Sequence, residues 1–404
     1  MSVFLFFSFL SFVGLICCWL QITAAKRCSL STPCSGEGET LPRFFCPPVS
    51  VLKPLKGIDD NLFDNLSSFC VQDYPSYELI FALQDHNDPA YKVARKVKEK
   101  YKDRNISIIV GQREDGLNPK VNNLIPAYKA AAYDYILISD SNVLADRDYL
   151  KETVACMSDP SVGLVTNIIK GVRGRTLASI FENLHMNSFV IGSVCFLDKF
   201  LGMPCVIGKS MLMKKDVLES IGGLQAFKNV LAEDFIIGRK ISEAGWKVAL
   251  SGHAVENVNE YWGLGRFLNR HTRWGKLRWK IGGVKYLSEL LVNPVFLSAL
   301  PVLLWEASAL TVLFSLCVSA AKAAGDYHLA KNTGTDMSPL LYLLVPLKDI
   351  IIGVVWFVPL FSNTVVWRGN RYAIGKDSVI SPYPDTGFWV LRDRLFSSLR
   401  INNA

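Results

Sequence analysis

The chain has 404 residues, 50% of them hydrophobic, with a formal net charge of +8 and a mean hydropathy of +0.23. That is more apolar than a soluble domain usually is, yet 20% of residues are charged, which argues against a wholly soluble chain and for a globular domain joined to membrane segments. The basic balance favours anionic surfaces such as phospholipid headgroups, and nucleic acid is set aside because no nucleic-acid motif appears.

Val3 to Ala25 is almost continuously apolar and uncharged until Lys26-Arg27. Residues 1–25 therefore read as an N-terminal transmembrane anchor, not a cleaved signal, because the basic pair follows the apolar run. Lys26 and Arg27 predict that what comes next stays cytoplasmic. Residues 26–48, rich in Ser, Thr, Gly and Pro, read as a linker. The ten cysteines show no CxxC pair and no His/Cys ligand spacing, and read as reduced thiols acting mostly as small hydrophobes.

From Val49 strands and helices alternate. Val49–Lys53, Glu78–Gln84, Ser107–Val110 and Tyr135–Ser139 read as strands; Leu62–Phe69, Pro89–Lys100 and Val121–Ala132 read as helices. The alternation predicts an α/β domain over 49–265 with a mostly parallel sheet and flanking helices. Ligands of such sheets bind beyond the carboxyl ends of the strands, where Asp85 and Asp140 fall. Further on, Val162–Thr166, Met211–Lys214 and Trp246–Ser251 read as strands, and Thr176–Ile191 as an amphipathic helix. Gly208-Lys209-Ser210 looks like the end of a phosphate-binding loop, but the motif's first glycine is replaced by Met203, so it is set aside.

Residues 266–289 carry Arg266, Arg270, Arg273, Lys276, Arg278 and Lys280 among Phe267, Trp274 and Trp279, which suits the headgroup layer of a membrane. The region 290–366 holds two apolar blocks, Leu290–Ala321 and Pro339–Val366. Each is long enough to cross a bilayer, with internal charges that leave room for re-entrant segments. Two crossings would return the 367–404 tail to the side of the α/β domain.

Asp140-Ser141-Asn142 after a strand resembles the DxD motif of nucleotide-sugar glycosyltransferases, with Asn142 in place of the second Asp. A carboxylate there can hold Mg²⁺ or Mn²⁺ against a diphosphate. Asp85 can accept hydrogen bonds from a nucleoside, and Lys120 can reach a phosphate. Asp234 can act as general base toward an acceptor hydroxyl, with Glu233 as an orienting neighbour. Arg270 and Arg273 offer planar donors for a diphosphate, and Trp274 a flat wall for a sugar or acceptor.

These residues fall in ordered motifs: Gln84-Asp85-His86, Asn118-Pro119-Lys120-Val121-Asn122-Asn123-Leu124, Ile138-Ser139-Asp140-Ser141, Ala232-Glu233-Asp234, and Arg270-x-x-Arg273-Trp274. With them, the stretch from about Val49 to Trp274 resembles the ceramide glucosyltransferase family of membrane-bound GT-A glycosyltransferases. The resemblance implies a GT-A fold with added transmembrane helices. It implies transfer of glucose from UDP-glucose to the primary hydroxyl of ceramide with inversion, on the cytosolic face of a Golgi or ER membrane, or of an inner membrane in a bacterium. In that scheme Asp85 serves the nucleotide, Asp140 the metal and diphosphate, Asp234 is the base, and Arg270, Arg273 and Trp274 form the closing motif. The alternative is the same fold and mechanism with another UDP-sugar or another lipid acceptor, such as a hopanoid.

Overall fold

A computed structural model describes residues 2–30, 45–111, 116–305, 307–367 and 370–383. Most of the expected linker, Glu306, Arg368 and the tail beyond Tyr383 lie outside the described residues. Helix α1 (Ser2–Leu30) continues past the anchor boundary expected at Ala25. Its Phe6, Phe9, Phe12 and Trp19 are exposed, whereas Ala24, Ala25 and Cys28 are buried.

Eight strands build one sheet: β1 (Val49–Pro54), β2 (Tyr77–Leu83), β3 (Ile106–Val110), β4 (Tyr135–Ile138), β5 (Val143–Leu144), β6 (Val162–Val172), β7 (Met211–Lys214) and β8 (Lys247–Val258). Their order is β3-β2-β1-β4-β7-β6-β8-β5. The pairs β1/β2, β2/β3, β1/β4 and β6/β8 are parallel, while β7 runs antiparallel to β4 and β6, and β5 to β8. β6 and β8 run on beyond the strands expected there, because each supplies the other's ladder through Val172 and Val258. Register partners Lys170 and Glu256 form an ion pair at 3.3 Å in that extension, which an apolar-run criterion does not detect.

Successive side chains of a strand point to opposite faces, and both faces are covered. Val49, Val51, Leu79 and Phe81 pack with α2 (Leu62–Ser68), α3 (Pro89–Lys100) and α5 (Tyr149–Ala155). Leu52, Ile80, Ile136 and Ile138 pack with α4 (Pro119–Ala130) and α9 (Glu233–Glu243). Between β6 and β7, α6 (Leu177–His185) passes through a π-helical turn, Met186–Val190, into α7 (Ile191–Leu201); α8 (Lys215–Ser220) follows β7.

After the sheet come α10 (Leu264–Gly282), a 3₁₀ stretch Gly283–Val292, α11 (Pro294–Leu304), α12 (Ala309–Asn332), α13 (Val345–Val355) and α14 (Val358–Phe361). Among the described residues, four segments are helical, long and apolar enough to cross a membrane: Val3–Ser29, Leu177–Leu201, Ala309–Asn332 and Pro339–Phe361. These fit a membrane protein. The first apolar block is not one continuous helix, since Leu264–Val292 and Pro294–Leu304 meet at 76°. Pro294 accounts for the break: it cannot donate a backbone hydrogen bond to the preceding turn, and it starts α11 at the N1 position.

The chain then returns to the sheet domain. β9 (Thr364–Trp367), β10 (Asn370–Ile374) and β11 (Ile380–Pro382) form a small antiparallel sheet. Val365, Tyr372, Ile374 and Ile380 bury Leu231, and Leu231 N–H donates to Ser378 O at 3.0 Å. The segment expected as a free tail thus clamps the residues that precede Asp234. One further expectation is corrected: eight described cysteines are free thiols, but Cys156 is disulfide-bonded.

Candidate active site

At the carboxyl ends of β1 and β4, where the strand order reverses, a cavity of ≈ 550 Å³ opens. The floor is set by β1, whose Lys53 is fully buried. Its Nζ donates to Asp140 O at 2.6 Å and Ser139 Oγ at 3.2 Å, and it lies 3.7 Å above the Phe69 ring. Burial pushes the Lys53 ammonium well below the ordinary lysine range, with Asp140 only partly offsetting it. Lys53 therefore fixes the backbone that carries Asp140.

Lys120 enters from the first turn of α4. Asn118 caps that helix, accepting from the N–H of Lys120 (2.9 Å) and Val121 (3.1 Å), and Pro119 occupies N1. The same Asn118 donates to Val230 O and Glu233 Oε2, so the cap also ties α4 to the start of α9. Lys120 Nζ lies 2.8 Å from Asp140 Oδ1 and 3.0 Å from Glu233 Oε1. Lys209 Nζ lies 3.0 Å from Asp140 Oδ2 and donates to Asn142 Oδ1. Burial works to raise the Asp140 carboxyl, but the two ammonium groups outweigh it and hold it well below the usual carboxylate range. Burial likewise opposes the charge on Lys120, yet Asp140, Glu233 and Asp234 raise it above an ordinary lysine. On Lys209 burial wins, and its ammonium is lowered.

Asp234 sits in the first turn of α9, where the helix dipole favours a carboxylate. Its Oδ2 accepts from Gly208 N–H at 2.7 Å, and Oδ1 from Phe235 N–H at 2.8 Å. Four lone-pair sites on a carboxylate leave room for a further donor. Glu233 has less to offer: one oxygen faces Lys120, the other Asn118, and burial raises its pKa. A Cβ at position 208 would lie 2.7 Å from Lys120 Nζ and 2.9 Å from Asp234 Oδ2, so both side-chain ends would have to shift.

Helix α10 supplies the opposite wall. Arg270 is stacked 4.2 Å above the Trp274 ring and 5.1 Å from that of Trp262. Its Nη1 lies 3.3 Å from Glu182, which is fully buried and also bonded to His271 Nε2 at 2.9 Å. Arg273 lines the cavity beside Trp367 of β9.

Of the residues singled out in the sequence, Lys120, Asp140, Asp234, Arg270, Arg273 and Trp274 line this one cavity. Asp85 does not: it is exposed on the turn after β2, with Oδ1 accepting from Asn87 N–H at 2.8 Å. The neighbouring Asp88 is the one tied to the cavity wall, accepting from Gly57 N–H at 2.9 Å. Sequence reasoning missed Lys209 and Glu182, and gave Trp367 no role in the site. Lys209 was visible beside Gly208 but was dismissed with the incomplete phosphate-loop motif. A lone acid within the apolar stripe of α6 was the available signal for Glu182.

Among the described residues no group of three or more His, Cys, Asp or Glu is placed to hold a metal ion. The cavity combines cations that can hold a diphosphate, a carboxylate that can accept a proton, and indole faces that can pack on a sugar or apolar group. A structure of a mannosyltransferase from Pyrobaculum calidifontis in complex with GDP-Man and Mn²⁺ aligns with 89% of this chain and 97% of that one, with a TM-score of 0.50 and 17% identity. The likeness shows the GT-A-type fold. Ceramide glucosyltransferase 3 of Caenorhabditis elegans is 30% identical over 348 residues, covering 83% of this chain and 74% of that protein. Ceramide glucosyltransferase 1 of the same animal is 30% identical over 352 residues, covering 81% and 72%. The sequence pattern of glycosyl transferase family 21 matches residues 6–380, a span that contains every wall of the cavity from β1 to β9. The chain is therefore a glycosyltransferase and belongs to glycosyl transferase family 21.

Proposed function

We propose that the enzyme transfers glucose from UDP-glucose to the primary hydroxyl of ceramide in one displacement, inverting the anomeric centre. The observation that carries this reading is the convergence of Asp234, the Lys120–Asp140–Lys209 group and Arg270, Arg273 and Trp274 on one cavity. Asp234 takes the proton of the acceptor hydroxyl, and the oxygen forms its bond to the anomeric carbon. The bond from that carbon to the diphosphate oxygen breaks, and UDP departs with the electron pair. Lys120 and Lys209 already stand against a carboxylate and can turn to the leaving phosphates; Arg270 and Arg273 face the same volume.

Every oxygen this donor set offers now faces an ammonium, so a divalent cation, which takes one or two carboxylates and draws its other ligands from substrate phosphates and water, would enter only as Lys120 and Lys209 turn to the phosphates. Asp140, with the Asn142 side-chain oxygen beside it, would hold Mg²⁺ or Mn²⁺, and the ion would supply Lewis-acid neutralisation of the diphosphate. Asp85 would serve the nucleoside only where the donor extends past the cavity lining toward the exposed turn after β2.

We place the cavity on the cytosolic side, supported by Lys26 and Arg27 directly after the apolar run of α1. The Cys156 disulfide favours the opposite reading, since reducing compartments rarely keep such bonds. The function is tested by UDP release from the purified chain given UDP-glucose with ceramide, diacylglycerol or a hopanoid, alongside Asp234→Asn. Turnover with ceramide that falls about 10²–10⁴-fold in the variant, at unchanged UDP affinity, supports it. Turnover confined to another lipid overturns the acceptor, and an active Asp234→Asn overturns the base.

A further inference from the structure

Four carboxylates line the cavity, and three of them are already engaged. Asp140 faces two ammonium groups, Glu233 faces Lys120 and Asn118, and Asp234 accepts from two backbone N–H groups. The fourth is Asp59, on the loop that follows β1, with its side chain 13% exposed. Its Oδ2 accepts from Ser141 Oγ, the residue between Asp140 and Asn142. Its Oδ1 accepts no hydrogen bond among the described residues, and Arg266 Nη2 of α10 stands 3.9 Å away.

Both groups are held from behind. Asp60 Oδ2 accepts from the N–H of Glu260 (2.8 Å) and of Tyr261 (3.3 Å), and Asn61 Nδ2 donates to Glu260 Oε2 at 2.7 Å. These bonds tie the Asp59 loop to the chain leading into α10. On the other side the Arg266 guanidinium lies 4.3 Å from the centre of the buried Trp262 ring. Asp59 and Arg266 therefore face each other across the cavity lining without closing on each other.

A gap of 3.9 Å is too long for a direct hydrogen bond, whereas arginine–carboxylate pairs ordinarily close to about 2.7–2.9 Å. It is the right span for one hydroxyl oxygen, at about 2.7 Å from the carboxylate and about 2.9 Å from the guanidinium. The group that fits must donate to Asp59 and accept from Arg266. An alcohol does both; a phosphate or carbonyl oxygen only accepts, and an ammonium only donates. We propose that Asp59 and Arg266 form a subsite for a ring hydroxyl of the sugar nucleotide. Ser141 sets Asp59 beside Asp140, the carboxylate given above to the diphosphate, and a diphosphate of this kind carries a ribose at one end and a hexose at the other. The hydroxyl belongs to one of those two rings. The proposal rests on the sugar-nucleotide reading above and deepens it: beside the cations that hold the phosphates stands a pair that reads a sugar.

The test is calorimetric binding to the full chain in detergent. UDP is compared with its 2′-deoxy and 3′-deoxy forms, and UDP-glucose with forms lacking one hexose hydroxyl, for the unaltered chain, Asp59→Asn and Arg266→Met. Asparagine keeps the size of Asp59 and an oxygen for Ser141, and turns an N–H toward Arg266. One hydrogen bond to a charged, partly exposed pair predicts that the unaltered chain binds the parent about tenfold more tightly than one deoxy form, and that each variant binds the two alike. A preference lost at the ribose supports the proposal with that ring as ligand, and one lost at the hexose supports it with the other. A preference that survives either variant overturns it, as does an unaltered chain with no preference at any ring hydroxyl. A change confined to the KM of the lipid acceptor also overturns it. Arg266 is 48% exposed, so Arg266→Met carries the comparison should Asp59→Asn fail to fold. A chain that prefers guanosine nucleotides undergoes the same deoxy comparison with GDP, so the identity of the base does not enter. Failure to bind any nucleoside diphosphate removes the sugar-nucleotide reading and the subsite together, whereas binding with unaltered preference removes the subsite alone.

Discussion

Replacing Lys209 by Met asks whether the second ammonium at Asp140 works on the diphosphate or merely balances a buried carboxylate. In the structure Lys209 Nζ is 3.0 Å from Asp140 Oδ2, and its side chain is 13% exposed while that of Asp140 is 25% exposed. A hydrogen bond to a charged group contributes about 1.5–3 kcal/mol, and partial exposure of Asp140 places this one in the lower half. At about 1.4 kcal/mol per tenfold, kcat/KM for the sugar nucleotide should fall roughly 10–30-fold. Stability should change little, because Met removes a costly buried ammonium while Lys120 still faces Asp140. The assay is steady-state UDP release at saturating lipid, with UDP affinity measured calorimetrically beside it. Lys209→Arg supplies the pH arm. Burial lowers the Lys209 pKa, so its positive charge is present at low pH and is lost as pH rises, before an ordinary lysine would lose it. The arginine variant should keep activity further into the alkaline range. A Lys209→Met enzyme with unaltered kcat/KM and UDP affinity would refute the assignment.

Gly208→Ala should cost at least tenfold in kcat, because the new Cβ lies 2.7 Å from Lys120 Nζ and 2.9 Å from Asp234 Oδ2; a crystal or cryo-EM structure should show both side chains displaced. Glu182→Gln removes the counter-charge of Arg270 and a hydrogen-bond partner of His271 and should destabilise the chain by about 3–5 kcal/mol, read as a lower melting temperature in detergent. Of the two Asn-X-Ser sequons, Asn65 is buried in α2 and Asn105 is exposed before β3. Expression in a secretory system should therefore leave Asn105 unmodified if the sheet domain is cytosolic, and a glycan at Asn105 would reverse the orientation.

The sequence made the sheet readable where local signals agree with the tertiary outcome. Alternating apolar runs bounded by Asp, Asn and Pro locate β1 to β4 and the caps of α3 and α4 to within a residue or two, because β1, β2 and β4 are buried almost throughout and the edge strand β3 is at least half-buried. β6 and β8 were underestimated, since their outer halves are polar and exist through pairing with each other. Asp140, Asp234 and the Arg270–Trp274 motif were legible as residues that come to line the cavity, whereas Asp85 is not brought to it. Lys209 and Glu182 were not legible, because a buried charge is recognised by its partner, and each partner is far away in sequence. In the closing sheet, β9 was read as the end of an apolar block and β10 and β11 as tail for the same reason: they pack on Leu231, contributed from a distant segment.

That small sheet also constrains how the chain can thread a bilayer. Trp367 of β9 and Arg270 of α10 line one cavity, so the chain between them must cross the membrane an even number of times. If Ala309–Asn332 and Pro339–Phe361 both span, they make two crossings, and the bent α11 segment would then have to enter and leave on the same side. Parity applies equally to Leu177–Leu201, a single helical run that connects β6 and β7, two paired strands of one sheet. A lone crossing there would put the two halves of the sheet on opposite faces, so this helix, apolar as it is, lies within the protein. A truncation made to release the sheet domain from its membrane helices would take Trp367 with them, and the cavity would lose a wall.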